Sequence, residues 1–199
     1  MKVYDISQEI LSCSVYPGDP VPQRTVLQDM NDGELYNLSK IDLCVHNGTH
    51  IDAPAHFLRD GKTVENIALD SFVGMAYVVH HNGNVSAEDA AAIMEKARSV
   101  SSESARRILI KGSAVVSIEA AEVFARSAVL LVGNESQSVG PEDAPMAVHT
   151  ALLSKDIVLL EGVRLSEVPE GVYLLSAVPL NIAGAEGSPC RAVLIDLNK

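Results

Sequence analysis

The stretch His46–His56, which reads H-N-G-T-H-I-D-A-P-A-H, is the most informative part of this sequence. Its three histidines and one aspartate fall at positions 46, 50, 52 and 56, which all have the same parity. Side chains alternate between the two faces of an extended backbone, so residues of one parity share a face. A helix fits less well, because about 100° per residue turns Asp52 away from His50. The spacing therefore predicts an extended segment that presents its histidines and aspartate on one side.

Two residues within this stretch predict that the extended segment runs into a shaped loop. Gly48 tolerates backbone conformations that other residues avoid, and Pro54 biases Ala53 toward extended geometry. Both residues interrupt regular secondary structure. We therefore expect the end of a strand followed by a loop that can direct several side chains at one point.

The side chains in this stretch are of the types that bind divalent metal ions, and their clustering within eleven residues leads us to expect a metal site rather than a chance group of histidines. Neutral imidazole and carboxylate together suit a borderline ion such as zinc or manganese. His46, His50 and Asp52 would supply three protein ligands, and a catalytic zinc with three such ligands keeps a position for water. His56 lies four residues after Asp52. The pattern alone leaves His56 as either a fourth ligand or a proton-transfer group.

The pattern H-x-G-T-H-x-D-x-P-x-H resembles that of the cyclase-like metal-dependent hydrolases, a family that includes bacterial kynurenine formamidases and isatin hydrolases. Three further stretches extend the resemblance over most of the chain. Val15–Pro20 (V-Y-P-G-D-P) is similar to the family's N-terminal substrate loop, and Gly133–Pro141 (G-N-E-S-Q-S-V-G-P) to its later active-site loop. Ser176–Leu194 is similar to its C-terminal strands.

The resemblance implies two metal-binding sets and an acid/base residue. By position in the family pattern, these are His46, His50 and Asp52 for one ion, Asp52, His149 and Glu161 for a second, and His56 as the acid/base residue. Asp52 would bridge the two ions. Two cations about 3.5–4 Å apart require a shared anionic ligand and further carboxylate, which Asp52 and Glu161 would provide. The implied cofactor is two Zn²⁺ ions per chain, with Mn²⁺ as the alternative.

The implied activity is that of a metal-dependent amidohydrolase that cleaves C–N bonds other than peptide bonds. The expected substrate is a small aryl formamide or amide similar to N-formylkynurenine, an intermediate of tryptophan catabolism. The expected reaction uses metal-bound hydroxide with His56 as acid/base. Two alternatives remain at this point. One is hydrolysis of another cyclic amide, as in the isatin hydrolases, and the other is a non-catalytic protein that binds a small acid through a metal.

Three positions differ from the kynurenine formamidases. Tyr16 stands where those enzymes often have tryptophan, and Gly140 stands where they often have aspartate. The connection Lys111–Ser117 is shorter than the corresponding loop, which walls the pocket in the relatives. Tyr16 is expected to bind substrate, because its ring can stack on an aryl group.

Composition excludes several classes of partner. The formal net charge of −11 argues against binding to nucleic acid or to anionic membrane surfaces. No apolar run approaches the roughly 20 residues that a membrane span needs, and no signal-peptide pattern precedes the first strand. The three cysteines have neither disulfide-framework nor zinc-finger spacing. We therefore expect a cytoplasmic enzyme with a small-molecule substrate. The resemblance further implies a homodimer or homotetramer.

Hydrophobic periodicity predicts an α/β fold with more strands than helices. The expected strands are 3–6, 36–45, 74–80, 108–110, 129–132, 157–160, 172–176 and 192–195, and the expected helices are 86–97, 117–125 and 143–153. With 199 residues and 47% apolar content, the chain suits one sizeable domain, taken as 1–199. The sequence thus predicts a single α/β domain with a mixed sheet. The resemblance adds that it is of the swivelling β/β/α type, the cyclase fold.

Overall fold

A large mixed sheet organises the computed structural model, which describes residues 1–197. The last two residues of the expected domain lie outside the described residues. The strands are β1 (Lys2–Asp5), β2 (Gln23–Gln28), β3 (Leu38–Asp42), β4 (His50–Asp52), β5 (Val73–His80), β6 (Gly83–Val85), β7 (Arg107–Lys111), β8 (Ala114–Val116), β9 (Leu131–Asn134), β10 (Val158–Glu161), β11 (Gly171–Ser176), β12 (Gly187–Pro189) and β13 (Val193–Asp196). The α-helices are α1 (Ala87–Val100), α2 (Ile118–Ala125) and α3 (Met146–Leu153).

Within residues 1–197, nine strands join in the order β1-β13-β11-β5-β7-β9-β10-β4-β12. The middle strands β5, β7, β9 and β10 are parallel, and the strands on both sides of them pair antiparallel. Two smaller sheets pair β2 with β3 and β6 with β8. The predicted class, a single α/β domain with a mixed sheet, is therefore confirmed.

Strand β5 shows how the sheet is buried on both faces. Tyr77 and Val79 pack into the core beneath the three helices, whereas Ala76 and Val78 pack into a second core on the opposite face. Parallel strands that are covered on both sides read as nearly continuous apolar runs, as Val73–His80 does. The continuous apolar character of this segment is therefore the consequence of its central place in the sheet.

Helix α1 begins directly after Ser86, the first residue of the expected helix 86–97, which serves as its N-terminal cap. The Ser86 side chain accepts a hydrogen bond from the Asp89 backbone, and the Asp89 carboxylate accepts one from the Ser86 backbone. This reciprocal pair satisfies two backbone donors at the start of the helix, and such a cap typically contributes about 1 kcal/mol. The buried residues of α1 have helical spacing and form one apolar face: Ala90, Ile93, Met94 and Ala97.

The prediction for residues 36–45 is only partly right. Strand β3 covers Leu38–Asp42, and it pairs with β2, which the periodicity did not reveal. Every residue of β3 is exposed, so its alternating pattern does not mark a core-facing strand. A turn follows at Val45 and His46, so β3 does not deliver His46 directly.

The third helix begins later than predicted. Asp143 belongs to a turn, and α3 starts at Met146, directly after Pro145. The residue before a proline is disfavoured in helical conformation, which explains why the helix does not extend back through Ala144. His149 nevertheless lies on this helix, as expected.

No helix within residues 1–197 is long and apolar enough to cross a membrane.

Candidate metal centre and active site

Strand β4 places two of the predicted ligands on one face. His50 and Asp52 point to the same side of the strand, and Ile51 points to the opposite side, where it is fully buried in the core. The predicted extended segment with side chains on one face is therefore found at His50 and Asp52. It does not include His46 and His56, because His46 lies in the turn before β4 and His56 lies in a 3-10 turn after it.

Sheet register brings Glu161 to the same place. Strand β10 runs antiparallel to β4, with Glu161 opposite His50 and Leu159 opposite Asp52. Glu161 is only 2% exposed, so its carboxylate is not a solvated charge at the end of a strand. The Val139 backbone donates a 2.7 Å hydrogen bond to Glu161 Oε1, which fixes the carboxylate toward the interior.

Helix α3 contributes His149. Its Nδ1 lies 2.9 Å from the carbonyl oxygen of Pro145, so Nδ1 carries the proton and Nε2 is left to face the site. His149 Nε2 lies 3.2 Å from Glu161 Oε1 and 3.4 Å from Asp52 Oδ2. His50 shows the same arrangement, because its Nδ1 lies 3.0 Å from the carbonyl oxygen of Gly48.

The predicted side chains form two groups that share Asp52. One group contains His46, His50 and Asp52, the other contains Asp52, His149 and Glu161, and within each group the ligand atoms lie within 4.8 Å of one another. Asp52 Oδ1 is 2.8 Å from His46 Nδ1 and 3.4 Å from His50 Nε2. Its other oxygen, Oδ2, faces His149. One carboxylate oxygen is thus directed at each group, an arrangement that would allow Asp52 to bridge two ions.

The buried charges of this cluster shift its titration strongly. Burial opposes the charged form of His50, but contacts with Asp52 and Glu161 outweigh it and raise the pKa of His50 to about 10. The same balance raises the pKa of His149 to about 10. Burial likewise opposes ionisation of Asp52, yet its histidine neighbours hold the Asp52 pKa well below its usual range.

The donor set fits divalent ions. Within residues 1–197, Asp52 Oδ2 and His46 Nε2 are buried and make no hydrogen bond. Leaving a buried polar group without a partner costs about 1–3 kcal/mol, and more when it is charged. Imidazole and carboxylate ligands whose outer nitrogens are fixed by backbone carbonyls are typical of protein metal sites.

His56 lies beside this cluster and outside both groups. Its ring packs against the His46 ring with centroids 4.0 Å apart and against Phe57 at 4.5 Å. Its ring nitrogens make no hydrogen bond within the described part of the chain. Burial lowers the pKa of His56, which favours the neutral imidazole.

A close approach to glycine positions His46. A Cβ atom at Gly187 of β12 would lie 2.5 Å from His46 Cε1, so only glycine allows the ring to occupy this position. Strand β12 pairs with the other edge of β4, with Gly187 opposite Asp52. The C-terminal strands therefore help to form the site, a contribution for which spacing within the histidine motif gives no signal.

A cavity of about 280 Å³ opens onto these side chains. Besides the histidines and Glu161, its walls include Tyr16, Asp19, Phe57, Gln137, Ser138 and Pro145. Tyr16 therefore lies where the sequence places it, although its hydroxyl donates a hydrogen bond to the carbonyl oxygen of Glu142. The connection Lys111–Ser117 forms β8 and supplies none of the residues that line this cavity. Asp19 and Gln137 lie within stretches of family resemblance but were not singled out there.

The sequence pattern of the cyclase family matches residues 4–141 of this chain. The chain belongs to the cyclase family. The family resemblance predicted from the histidine motif is thereby confirmed, and His46–His56 lies inside the matched range.

Curated members of the cyclase family are similar to this chain over nearly its full length. A kynurenine formamidase from Salinibacter ruber is 39% identical, over 98% of this chain and 98% of that protein. Another kynurenine formamidase, from Erythrobacter litoralis, is 33% identical, over 98% of this chain and 94% of that protein. These relatives are hydrolases that act on amide C–N bonds.

Solved structures of the family share the fold. A protein described as a potential metal-dependent hydrolase with cyclase activity superposes with a TM-score of 0.81 at 29% identity, covering 97% of this chain and 96% of that one. Isatin hydrolase A from Labrenzia aggregata has a TM-score of 0.81 at 18% identity, with coverage of 97% and 93%. The second similarity establishes the fold alone.

Proposed function

We propose that this protein is a metal-dependent amidohydrolase that cleaves a small aryl formamide such as N-formylkynurenine to the arylamine and formate. The single observation that carries the proposal is the convergence of two ligand groups on Asp52, with His56 beside them at the same cavity and free of hydrogen bonds within residues 1–197. The similarity to kynurenine formamidases over nearly the whole chain supports this choice of substrate class.

In this proposal, His46, His50 and Asp52 hold one divalent ion, and Asp52, His149 and Glu161 hold a second. Zn²⁺ suits this mixed set of nitrogen and oxygen ligands, and Mn²⁺ is the alternative. The bound ions would lower the pKa of a water molecule and polarise the carbonyl oxygen of the substrate.

His56 acts as the acid/base residue. As a neutral imidazole, it accepts a proton from the attacking water and then donates that proton to the leaving aryl nitrogen. This transfer requires a ring that is not already committed to another group, and His56 has no hydrogen bond within residues 1–197. The rings of Tyr16 and Phe57 line the cavity and provide an apolar surface for the aryl group.

The proposal is tested by hydrolysis of N-formylkynurenine, followed by absorbance. Activity is expected with added Zn²⁺ or Mn²⁺ and should disappear after chelation and return when metal is restored. Hydrolysis of isatin but not of formamides would assign the protein to the cyclic-amide alternative. Tight binding of small acids without turnover would favour a non-catalytic role, which the presence of His56 and all five candidate ligands argues against.

We further propose that the protein forms a homodimer or homotetramer and acts in the cytoplasm. The β2–β3 hairpin supports self-association because it exposes apolar side chains: Val26, Leu27, Leu35, Tyr36, Leu38 and Ile41. Light scattering coupled to size-exclusion chromatography measures the assembly. A monomer at micromolar concentration would contradict the oligomer, and localisation of a tagged protein in cells tests the compartment.

A further inference from the structure

A tight turn places Asp19 at the cavity. The Asp19 backbone donates a 3.0 Å hydrogen bond to the carbonyl oxygen of Tyr16, and Gly18 has a φ of +98°. Proline at the second position and a left-handed glycine at the third position are typical of a type II turn. The local sequence Y-P-G-D therefore determines this turn, and both of its end residues line the cavity.

Contacts on both sides hold the turn in position. The Tyr16 hydroxyl donates a hydrogen bond to the carbonyl oxygen of Glu142, in the loop before α3. On the other side, Asn47 Nδ2 donates a 3.3 Å hydrogen bond to the carbonyl oxygen of Pro20. Asp19 is thus presented by a preorganised loop, which reduces the entropy lost when a ligand binds.

The Asp19 carboxylate has no partner in the part of the chain that the structure describes. It accepts no hydrogen bond and forms no ion pair there, although the residue is half-buried. Among residues 1–197, no lysine or arginine lines the cavity. The carboxylates of Asp52 and Glu161 belong to the candidate ligand groups, and that of Glu186 lies 3.7 Å from His46 Nε2 without lining the cavity. Asp19 is therefore the acidic group of the cavity that remains available to a ligand.

We propose that Asp19 binds the ammonium group of an amino-acid side arm on the substrate. This inference rests on the proposed function and narrows its substrate class to aryl formamides that carry a cationic amine. N-formylkynurenine has such an ammonium group and also a carboxylate. Because no basic side chain lines the cavity, the ammonium group, and not the carboxylate, is recognised by an ion pair.

Two substrates separate recognition of the ammonium group from catalysis. N-formylkynurenine carries the amino-acid side arm, whereas 2-formamidoacetophenone has the same aryl formamide and ketone without it. In the metal-loaded enzyme, Asp19→Asn is expected to lower kcat/KM for N-formylkynurenine roughly 10- to 100-fold, mainly through KM. The kcat/KM for 2-formamidoacetophenone should change by no more than about twofold, which also shows that the variant is folded.

Two further variants serve as controls. Asp19→Glu keeps the charge and is expected to retain more kcat/KM for N-formylkynurenine than Asp19→Asn does. Asp42→Asn removes an exposed carboxylate at the end of β3 that does not line the cavity. Asp42→Asn should leave kcat/KM unchanged for both substrates. A loss as large as that caused by Asp19→Asn would mean that Asp19 acts only through its long-range charge.

Substrate analogues test the same claim without mutation. The methyl ester of N-formylkynurenine keeps the ammonium group and should remain a good substrate. The analogue that keeps the carboxylate but lacks the amine should be turned over as poorly by the wild type as by Asp19→Asn.

The outcomes distinguish this inference from the proposed function. Equal loss of activity on both substrates in Asp19→Asn, or no loss on either, would overturn the role of Asp19 and leave the hydrolase intact. If the metal-loaded wild type hydrolyses neither formamide, the proposed function itself is wrong and the inference falls with it.

Discussion

The two groups of the candidate metal centre reach the site by different routes. His46, His50 and Asp52 come from one short stretch, formed by a turn and a three-residue strand. His149 and Glu161 come from the final third of the chain, through a helix and through the register of β10 against β4. Asp52 belongs to both groups. A local sequence motif can therefore predict the presence of a metal site, whereas the tertiary structure is needed to identify its remaining ligands.

Replacement of the shared residue should have the largest effect. Asp52→Asn keeps the shape of the side chain but removes the charge that both groups use. We expect kcat/KM for N-formylkynurenine to fall at least about 10³-fold and both ions to be lost, because the paired cations lose their common anionic ligand. Elemental analysis and steady-state kinetics measure the two effects. Normal metal content in this variant would exclude a bridging role for Asp52.

Replacement of His56 should separate metal binding from turnover. His56→Ala is expected to lower kcat by roughly 10²- to 10⁴-fold, the usual contribution of a general acid/base, while metal content stays at the wild-type level. Elemental analysis of the same preparations that are used for the kinetics measures their metal content. If His56→Ala loses as much metal as a variant of a candidate ligand residue does, His56 is itself a metal ligand.

The two groups can also be compared directly. His46→Ala should weaken the ion held by the local group, and His149→Ala the ion held by the distant group. Each variant is therefore expected to retain about one ion per chain, because the group that is not mutated keeps all three of its ligands. Elemental analysis after extensive dialysis gives the stoichiometry. Loss of both ions in each variant would show that the groups do not bind independently.

The smallest expected effect is on the pH dependence of stability. In the metal-free protein, the pKa values of His50 and His149 are raised to about 10, above the unfolded value near 6.5. A raised pKa stabilises the folded state fully below pH about 6.5, and this stabilisation is lost as pH rises through about 10. The Tm of the metal-free protein should therefore fall between pH 7 and pH 10.

Calorimetry with and without metal measures this dependence. The metal-loaded protein should show a smaller fall, because its ligand histidines are already deprotonated. His149→Ala removes one of the two titrating groups and should flatten the metal-free curve. A metal-free Tm that is constant or rises over this range would contradict the electrostatic description of the centre.

Much of the sheet could be predicted from sequence alone. The run Val73–His80 is continuously apolar because this strand is covered on both faces. Helix α1 can be recognised from its N-terminal cap and from the apolar residues along one face. Strand β2 could not be found in this way, because nearly all of its residues are exposed and no face is buried. Strand β12 contains glycine and proline and is three residues long, so its composition is that of a loop.

The candidate site divides in the same way. Parity placed His50 and Asp52 on one face of a strand, and the structure agrees. For Glu161, its position after an apolar run favours a solvated strand end over a functional residue when the sequence pattern is taken alone. The pairing of Glu161 with His50 depends on sheet register, which is set by contacts between residues far apart in the chain. Only the family resemblance could nominate His149 and Glu161 before the structure was known.

The number and spacing of metal ions in the purified protein show whether Asp52 bridges a two-metal centre. Anomalous diffraction from crystals grown with Zn²⁺ or Mn²⁺ would locate each ion. We predict two ions per chain, about 3.5–4 Å apart, with one oxygen of Asp52 directed at each. A single ion, or two ions that do not share Asp52, would contradict it.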